Sequence, residues 1–325
     1  VGTDALTGKS GLTFTQATGQ NLAISGTHTH SGPAGFLQYL LYDMTSLGFV
    51  QETFEAWVDG ISSAIVQAHR NARPGDIGLA QGFLFGSNIN RSPTSYLLNP
   101  EEERKRYSDQ GDTDKNMFLL RFTQAATAGG GDHLIGTLNW FAVHGTSMNN
   151  TNTLVSGDNR GYASYMLERE VNGPRTRVGH GPFVAAFAST NLGDVSPNTN
   201  GAKCIDTGED CDGTTSTCNG RCEKCIAFGP GKNGDMFEST QIIGEKQYKH
   251  AHSLLGEAQE AKSRLSGVVD SRHAFVFMPA LVVNTSSSSS PRDLSATSKL
   301  CSPAMGYAFA AGTTDGPGAF NFHQG

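Results

Sequence analysis

The sequence predicts an α/β fold of the mixed α+β kind, with a central mixed sheet, flanking helices and an active site at strand ends. Two observations point there. Apolar runs of strand length, "IGLAQGFLFG", "NMFLLRF", "LIGTLNWFAVH" and "FVAAFAST", are interleaved with stretches of helical period, and no internal repeat divides the chain. Its 325 residues can bury a sizeable core as one large domain or two ordinary ones.

From the N-terminal side, "NLAIS" (21–25) reads as a short buried strand that delivers His28 and His30 to its end, where Gly32, Pro33 and Gly35 break it. On an extended segment these two histidines face one side. Residues 36–44 are rich in Leu and Tyr. Residues 51–70 place Phe54, Trp57, Val58, Ile61, Ile65 and Ala68 at spacings of three and four, an amphipathic helix ended by "ARPG". The strand "IGLAQGFLFG" leads into the polar loop "SNINRSPTSY", which carries Arg91, and "PEEERKRYSD" reads as a solvated surface segment.

Next, "NMFLLRF" and "LIGTLNWFAVH" form two strands joined by the flexible "TQAATAGGGDH", and the second ends on His144. A helix is expected over 161–171 and a buried strand from Phe183. The turn-rich "NLGDVSPNTNG" after it puts Ser196 at another strand exit. A long helical stretch follows over 237–265, then a strand over 268–278 and the low-complexity loop "NTSSSSSPRD".

Charge and hydropathy exclude two classes. Lys plus Arg number 24 against 30 Asp plus Glu, a net charge of -6 with no basic stripe, so nucleic acid is not an expected partner. Hydrophobic residues make up 37% of the chain, and no apolar run approaches the ~20 residues of a spanning helix. The opening "VGTDALTGKS" has neither an initiator Met nor a leader, and both ends read as cut.

Five of six cysteines, Cys204, Cys211, Cys218, Cys222 and Cys225, cluster in a Gly/Asp/Thr-rich segment, which means disulfide staples or a metal. "CNGRCEKC" contains a C-x-x-C, but a second half-site of similar spacing is absent, which favours disulfides. Sequons at Asn90, Asn149 and Asn284 agree with an oxidising, secretory compartment.

Polar groups gather at strand exits: His28, His30, Arg91, His144, and Ser196 with Asp194. Alone, H-x-H describes paired surface or core histidines as readily as metal ligands; His144, at the end of a separate strand, strengthens the metal reading. Catalytic zinc keeps about three protein ligands and an open position. In "GDVSPN", Ser196 is a candidate nucleophile with a histidine base and an aspartate orienter, although the G-x-S-x-G elbow is missing. The plain alternative makes Asp194, Ser196, Pro197 and Asn198 turn formers.

Together, "ISGTHTHSGPAG", "NINRSP", "WFAVHGTSM", "NLGDVSPNTNGAKC" and "GYAFAAGTTDGPGAFNF" resemble the neutral ceramidase family, in order and over essentially the whole chain. The resemblance implies zinc-dependent hydrolysis of the amide bond of ceramide (N-acylsphingosine) to a sphingoid base and a fatty acid, with a membrane surface as the substrate source. It assigns His28 and His144 to zinc, His30 to a non-ligand catalytic role, Arg91 to the polar head or the oxyanion, and Ser196 to either nucleophilic attack or substrate orientation. A serine-nucleophile acyl hydrolase and an inactive ceramide-binding fragment are the alternatives.

The same resemblance implies bridges Cys204–Cys218 and Cys211–Cys225 within a disulfide-rich loop at 204–225, with Cys222 extra and Cys301 partnered further along. It further implies that residues 1–325 form a catalytic domain incomplete at both ends. The remaining zinc ligands, a glutamate and a tyrosine, are then expected beyond Gly325, as is an immunoglobulin-like domain. On that expectation the isolated chain is inactive and poorly stable, and the parent protein is secreted or membrane-associated.

Overall fold

The computed structural model describes residues 22, 24–126, 131–270, 272, 274–284, 297–303 and 310–317. Its centre is a four-stranded mixed sheet in the order β1-β3-β4-β5, from β1 (Gly75–Phe83), β3 (Asn116–Gln124), β4 (His133–Phe141) and β5 (Val184–Ser189). β1, β3 and β4 run antiparallel in turn, with Leu79 opposite Leu120 and Leu120 opposite Leu138. β5 pairs parallel to β4, Leu138 opposite Ala186, and the crossover between them is helix α5 (Asp158–Asn172). These four strands are the apolar runs of the sequence; β4 stops at Phe141, three residues before His144.

Alternation along each strand decides which face is covered. Ala80, Met117, Leu119, Phe141, Ala185 and Phe187 point to one face and form the core with Ala163 and Leu167 of α5 and with Ile243, Ala251 and Leu254 of α6 (Met236–Glu257). Glycine lets α6 close on β1: a Cβ on Gly78 would lie 2.1 Å from the Ala258 carbonyl oxygen. Asp235 caps α6 by accepting from Glu238 N at 2.7 Å.

The outer elements are small. Helices α1 (Leu40–Ser46) and α2 (Gln51–Arg70) precede the sheet. Between β1 and β3 lie β2 (Ile89–Asn90), α3 (Pro93–Leu97) and α4 (Glu101–Lys105), the last inside the segment read as solvated. β6 (Val195–Ser196) pairs with β2, and β7 (Ala202–Cys204) pairs with β8 (Cys225–Ala227). β9 (Val282–Asn284) pairs with β10 (Thr297–Lys299), and β11 (Gly312–Thr313) with β12 (Gly316–Pro317). Among the described residues no helix is long and apolar enough to cross a membrane.

Two expected strands are corrected. Ile24 and Ser25, the described end of "NLAIS" apart from Leu22, are exposed and form no strand; Asn21 and Ala23 lie outside the described residues. Between 268 and 278 the described residues form no strand either, and Val268 and Val269 are each 94% exposed. Both segments have the apolar composition of strands, but among the described residues neither joins a sheet, and a strand is defined by its neighbour. The long helix also ends at Glu257 rather than near 265, and Leu265 N instead donates to Ile77 O at 2.8 Å. The loop at 285–296 lies outside the described residues.

Candidate active site

The carboxyl ends of parallel strands open a crevice in α/β sheets, and β4 and β5 are the parallel pair here. His144 follows β4, and Ser196 follows the loop after β5. A third segment, 27–31, lies across this end: Thr29 bridges Gly145 in parallel, and His30 N donates to Gly145 O at 3.1 Å. Only glycine permits that approach, since a Cβ at 145 would sit 2.7 Å from His28 O and 2.9 Å from Thr29 Cα. His28 itself has φ 58, so the chain is not extended there. Its ring and that of His30 meet because the backbone turns, and not through the period of a strand.

The three imidazoles form one cluster. Ring centroids lie 4.7 Å apart for His28–His30 and His28–His144, and 5.7 Å for His30–His144. His28 Nε2 and His30 Nε2 are 3.1 Å apart, and one ring nitrogen from each of the three residues lies within 4.8 Å of the others. His144 is buried, and its Nδ1–H donates to Val195 O at 2.7 Å, which leaves the Nε2 lone pair free. Burial and the Arg91 charge push the His144 pKa down to about 3. Burial first, then the neighbouring cations, also lowers His28 and His30, with Asp315 opposing the shift at His30. Neutral imidazoles whose ring nitrogens converge are a donor set for a borderline metal ion, and these residues fit zinc.

Helix α5 braces the cluster from below, a role its sequence "DNRG" did not announce. Asn159 Nδ2 donates to His144 O at 2.9 Å and to Ser147 Oγ at 3.0 Å. Asp158 accepts from Ser147 N at 3.1 Å and Met148 N at 2.9 Å; burial pushes its pKa up against those bonds. Arg160, 1% exposed, donates to the carbonyls of Ala188, Phe141 and Val143, at the carboxyl ends of β4 and β5. A cation in the first turn opposes the helix dipole, so its place reflects these strand ends and not the helix. Burial brings its pKa down to about 10.

Beside the histidines, Arg91 N donates to Asp194 O at 2.9 Å and Arg91 Nε to Gly193 O at 3.1 Å. Ser196 Oγ–H donates to Asp315 Oδ1 at 2.6 Å, and the same oxygen accepts from Asn198 Nδ2 at 2.7 Å. Among the described residues no imidazole nitrogen bonds Ser196 Oγ, and Asp194 does not orient it. Asp315 and Asn198 were not singled out as site residues in the sequence. Asp315 stands 119 residues from Ser196, and a Gly-flanked aspartate in "TTDGPG" reads as a turn former.

Disulfides join Cys204 to Cys218 and Cys211 to Cys225, with Cα–Cα separations of 5.7 and 5.8 Å, and Cys222 and Cys301 are free. Of the sequons, Asn90 is buried, and its amide donates to Asp112 O at 3.0 Å, while Asn149 is exposed.

The profile of the family described as "Neutral/alkaline non-lysosomal ceramidase, N-terminal" matches residues 5–325. Neutral ceramidase B of Dictyostelium discoideum is 52% identical over 304 residues, covering 94% of this chain and 40% of its own. Neutral ceramidase of Drosophila melanogaster is 50% identical over 309 residues, covering 94% and 42%. A solved structure described as a ceramidase complexed with C2 superposes with a TM-score of 0.72 at 34% identity, over 97% of this chain and 41% of that one. Neutral ceramidase from Pseudomonas aeruginosa gives a TM-score of 0.56 at 35% identity, over 75% and 32%. The chain therefore spans about two fifths of the length of the curated relatives it matches.

Proposed function

Because the chain belongs to the neutral/alkaline ceramidase family, we propose that it hydrolyses the amide bond of N-acylsphingosines at a zinc ion held by His28 and His144. The observation that carries this reading is the cluster of three neutral imidazoles at the carboxyl ends of β4 and β5, within electrostatic reach of Arg91. Bound zinc supplies Lewis acidity toward the amide carbonyl and lowers the pKa of water.

The chain's own residues divide the remaining work. Arg91, two backbone bonds deep in its loop, presents a fixed cation to the oxygen on which negative charge develops. His30 rests neutral, so it can take a proton from the attacking water and pass it to the leaving amine nitrogen as the C–N bond breaks. Ser196, whose own O–H donates to Asp315 Oδ1, orients the substrate by accepting a hydrogen bond. Serine attack is the weaker reading, because the imidazole base it needs is not bonded to Ser196. Ceramide is a membrane lipid, so a membrane surface supplies the substrate; the sequon at exposed Asn149 and the two disulfides support a secretory setting.

His30→Ala separates the two jobs a third imidazole can do. In the protein expressed from its complete reading frame, this variant is expected to keep its zinc and lose ~10²–10⁴-fold in fatty-acid release, the range of general acid–base catalysis. Loss of zinc together with activity would make His30 a ligand. Full turnover would remove it from the chemistry.

A further inference from the structure

We propose that Asp315 is the positioning residue for Ser196: its carboxylate accepts the hydrogen bond from the serine's only O–H and so leaves the hydroxyl oxygen as a pure hydrogen-bond acceptor toward substrate, an inference that rests on the amidase reading above. A serine hydroxyl has one proton and two lone pairs. The proton goes to Asp315 Oδ1 at 2.6 Å, and one lone pair receives Asn198 N–H at 3.0 Å. One acceptor position remains and no donor. Ser196 therefore cannot donate to the oxyanion, a duty left to Arg91, and it selects a substrate that offers a hydroxyl or amide N–H.

The carboxylate is held from several sides. Thr314 N and Thr314 Oγ1 both donate to Arg91 O, at 3.0 and 2.9 Å, and fasten the β11–β12 hairpin to the Arg91 loop. Asp315 N donates to Thr313 Oγ1 at 3.1 Å, and β12 packs against β8 and residues 222–224 of the disulfide-linked loop. Asp315 Oδ1 also accepts from Asn198 Nδ2 at 2.7 Å, and Oδ2 lies 3.9 Å from Arg91 Nη1. One side chain thus ties together the serine, its neighbouring asparagine and the oxyanion cation. These groups come from parts of the chain 117 to 119 residues away at Asn198 and Ser196, and further at Arg91. The hydroxyl's orientation is fixed before substrate arrives, which is where such a bond contributes to rate.

The test is a double-mutant cycle in the protein expressed from its complete reading frame, with Asp315→Ala, the near-isosteric Asp315→Asn and Ser196→Ala. Residues that act as a unit give non-additive losses. With Ser196 present, Asp315→Ala is expected to lower kcat for N-acylsphingosine hydrolysis by ~10–10³-fold and Asp315→Asn, whose amide oxygen still accepts the serine O–H but carries no charge, by less; in the Ser196→Ala background each loss is expected to fall below about threefold. The same loss in both backgrounds, or none with Ser196 present, would overturn the proposal. Urea denaturation of the same four-cornered set reads the coupling without turnover: the stability lost at Asp315 should shrink when Ser196 is absent, and equal losses would count against it. If the parent protein releases no fatty acid, the amidase reading fails while the denaturation cycle still decides on Asp315. If the Ala variant does not fold, the Asn variant carries the same comparison.

Discussion

His144 shows how one side chain is set for metal binding by its surroundings. Its Nδ1 proton is spent on the Val195 carbonyl, and burial with the Arg91 charge brings its pKa to about 3, from an ordinary 6.5. An unfolded chain binds a proton here below pH 6.5, whereas the folded chain resists until near 3. Stability from this group is therefore present above pH 6.5 and is lost as pH falls through that window, because the unfolded state holds more protons there. Metal-free protein should show a urea midpoint that drops between pH 6.5 and 4, and His144→Gln should flatten that slope. An unchanged slope in the variant would mean that the acid lability comes from other groups. At this scale the sequence was partly legible. His28, His30 and His144 stood out as a possible ligand set, but the reason they converge did not, because the positive φ of His28 and the close approach at Gly145 are invisible in H-x-H.

At the scale of elements, the site depends on how α5 meets the parallel pair β4–β5. Arg160 closes the carboxyl ends of both strands by giving its guanidinium protons to three backbone carbonyls. Replacing it by Met removes a costly buried charge but takes a donor from each of those carbonyls, of which Phe141 O keeps Thr190 N at 3.4 Å, and a buried acceptor left without a donor costs ~1–3 kcal/mol. The second effect wins because three acceptors lose a charged donor together. Arg160→Met is expected to cost about 3 kcal/mol in urea unfolding and to loosen metal binding ~10–100-fold, as loss of groups supporting a metal site does. A change under about 1 kcal/mol with unaltered metal affinity would remove Arg160 from this role. The elements themselves were readable where a periodic pattern had a partner: β1, β3, β4, β5, α2 and α5 all fall where the apolar spacing put them. "NLAIS" and 268–278 have the same composition yet join no sheet among the described residues, and composition carries no information about neighbours.

Over the whole molecule, the chain places its chemistry at one end of a sheet, one face of which is covered by α5 and α6. Histidines from two segments, an arginine from the β2 loop, a serine from β6 and an aspartate from the β11–β12 hairpin meet at the carboxyl ends of β4 and β5. The mixed fold and the mixed sheet were legible because they rest on local patterns summed along the chain. Asp315 was not, since its meaning depends on a partner 119 residues away, and a turn aspartate gives no local sign of it. That this assembly hydrolyses an amide with the help of a metal ion is the reading proposed above. Its most direct test is fatty-acid release from N-acylsphingosine by the protein expressed from its complete reading frame, after metal removal and after return of one equivalent of zinc, alongside His144→Ala. Stripping is expected to abolish release, zinc to restore it in the parent protein, and His144→Ala neither to retain zinc nor to recover. Undiminished release by the stripped protein, or by His144→Ala, would contradict it.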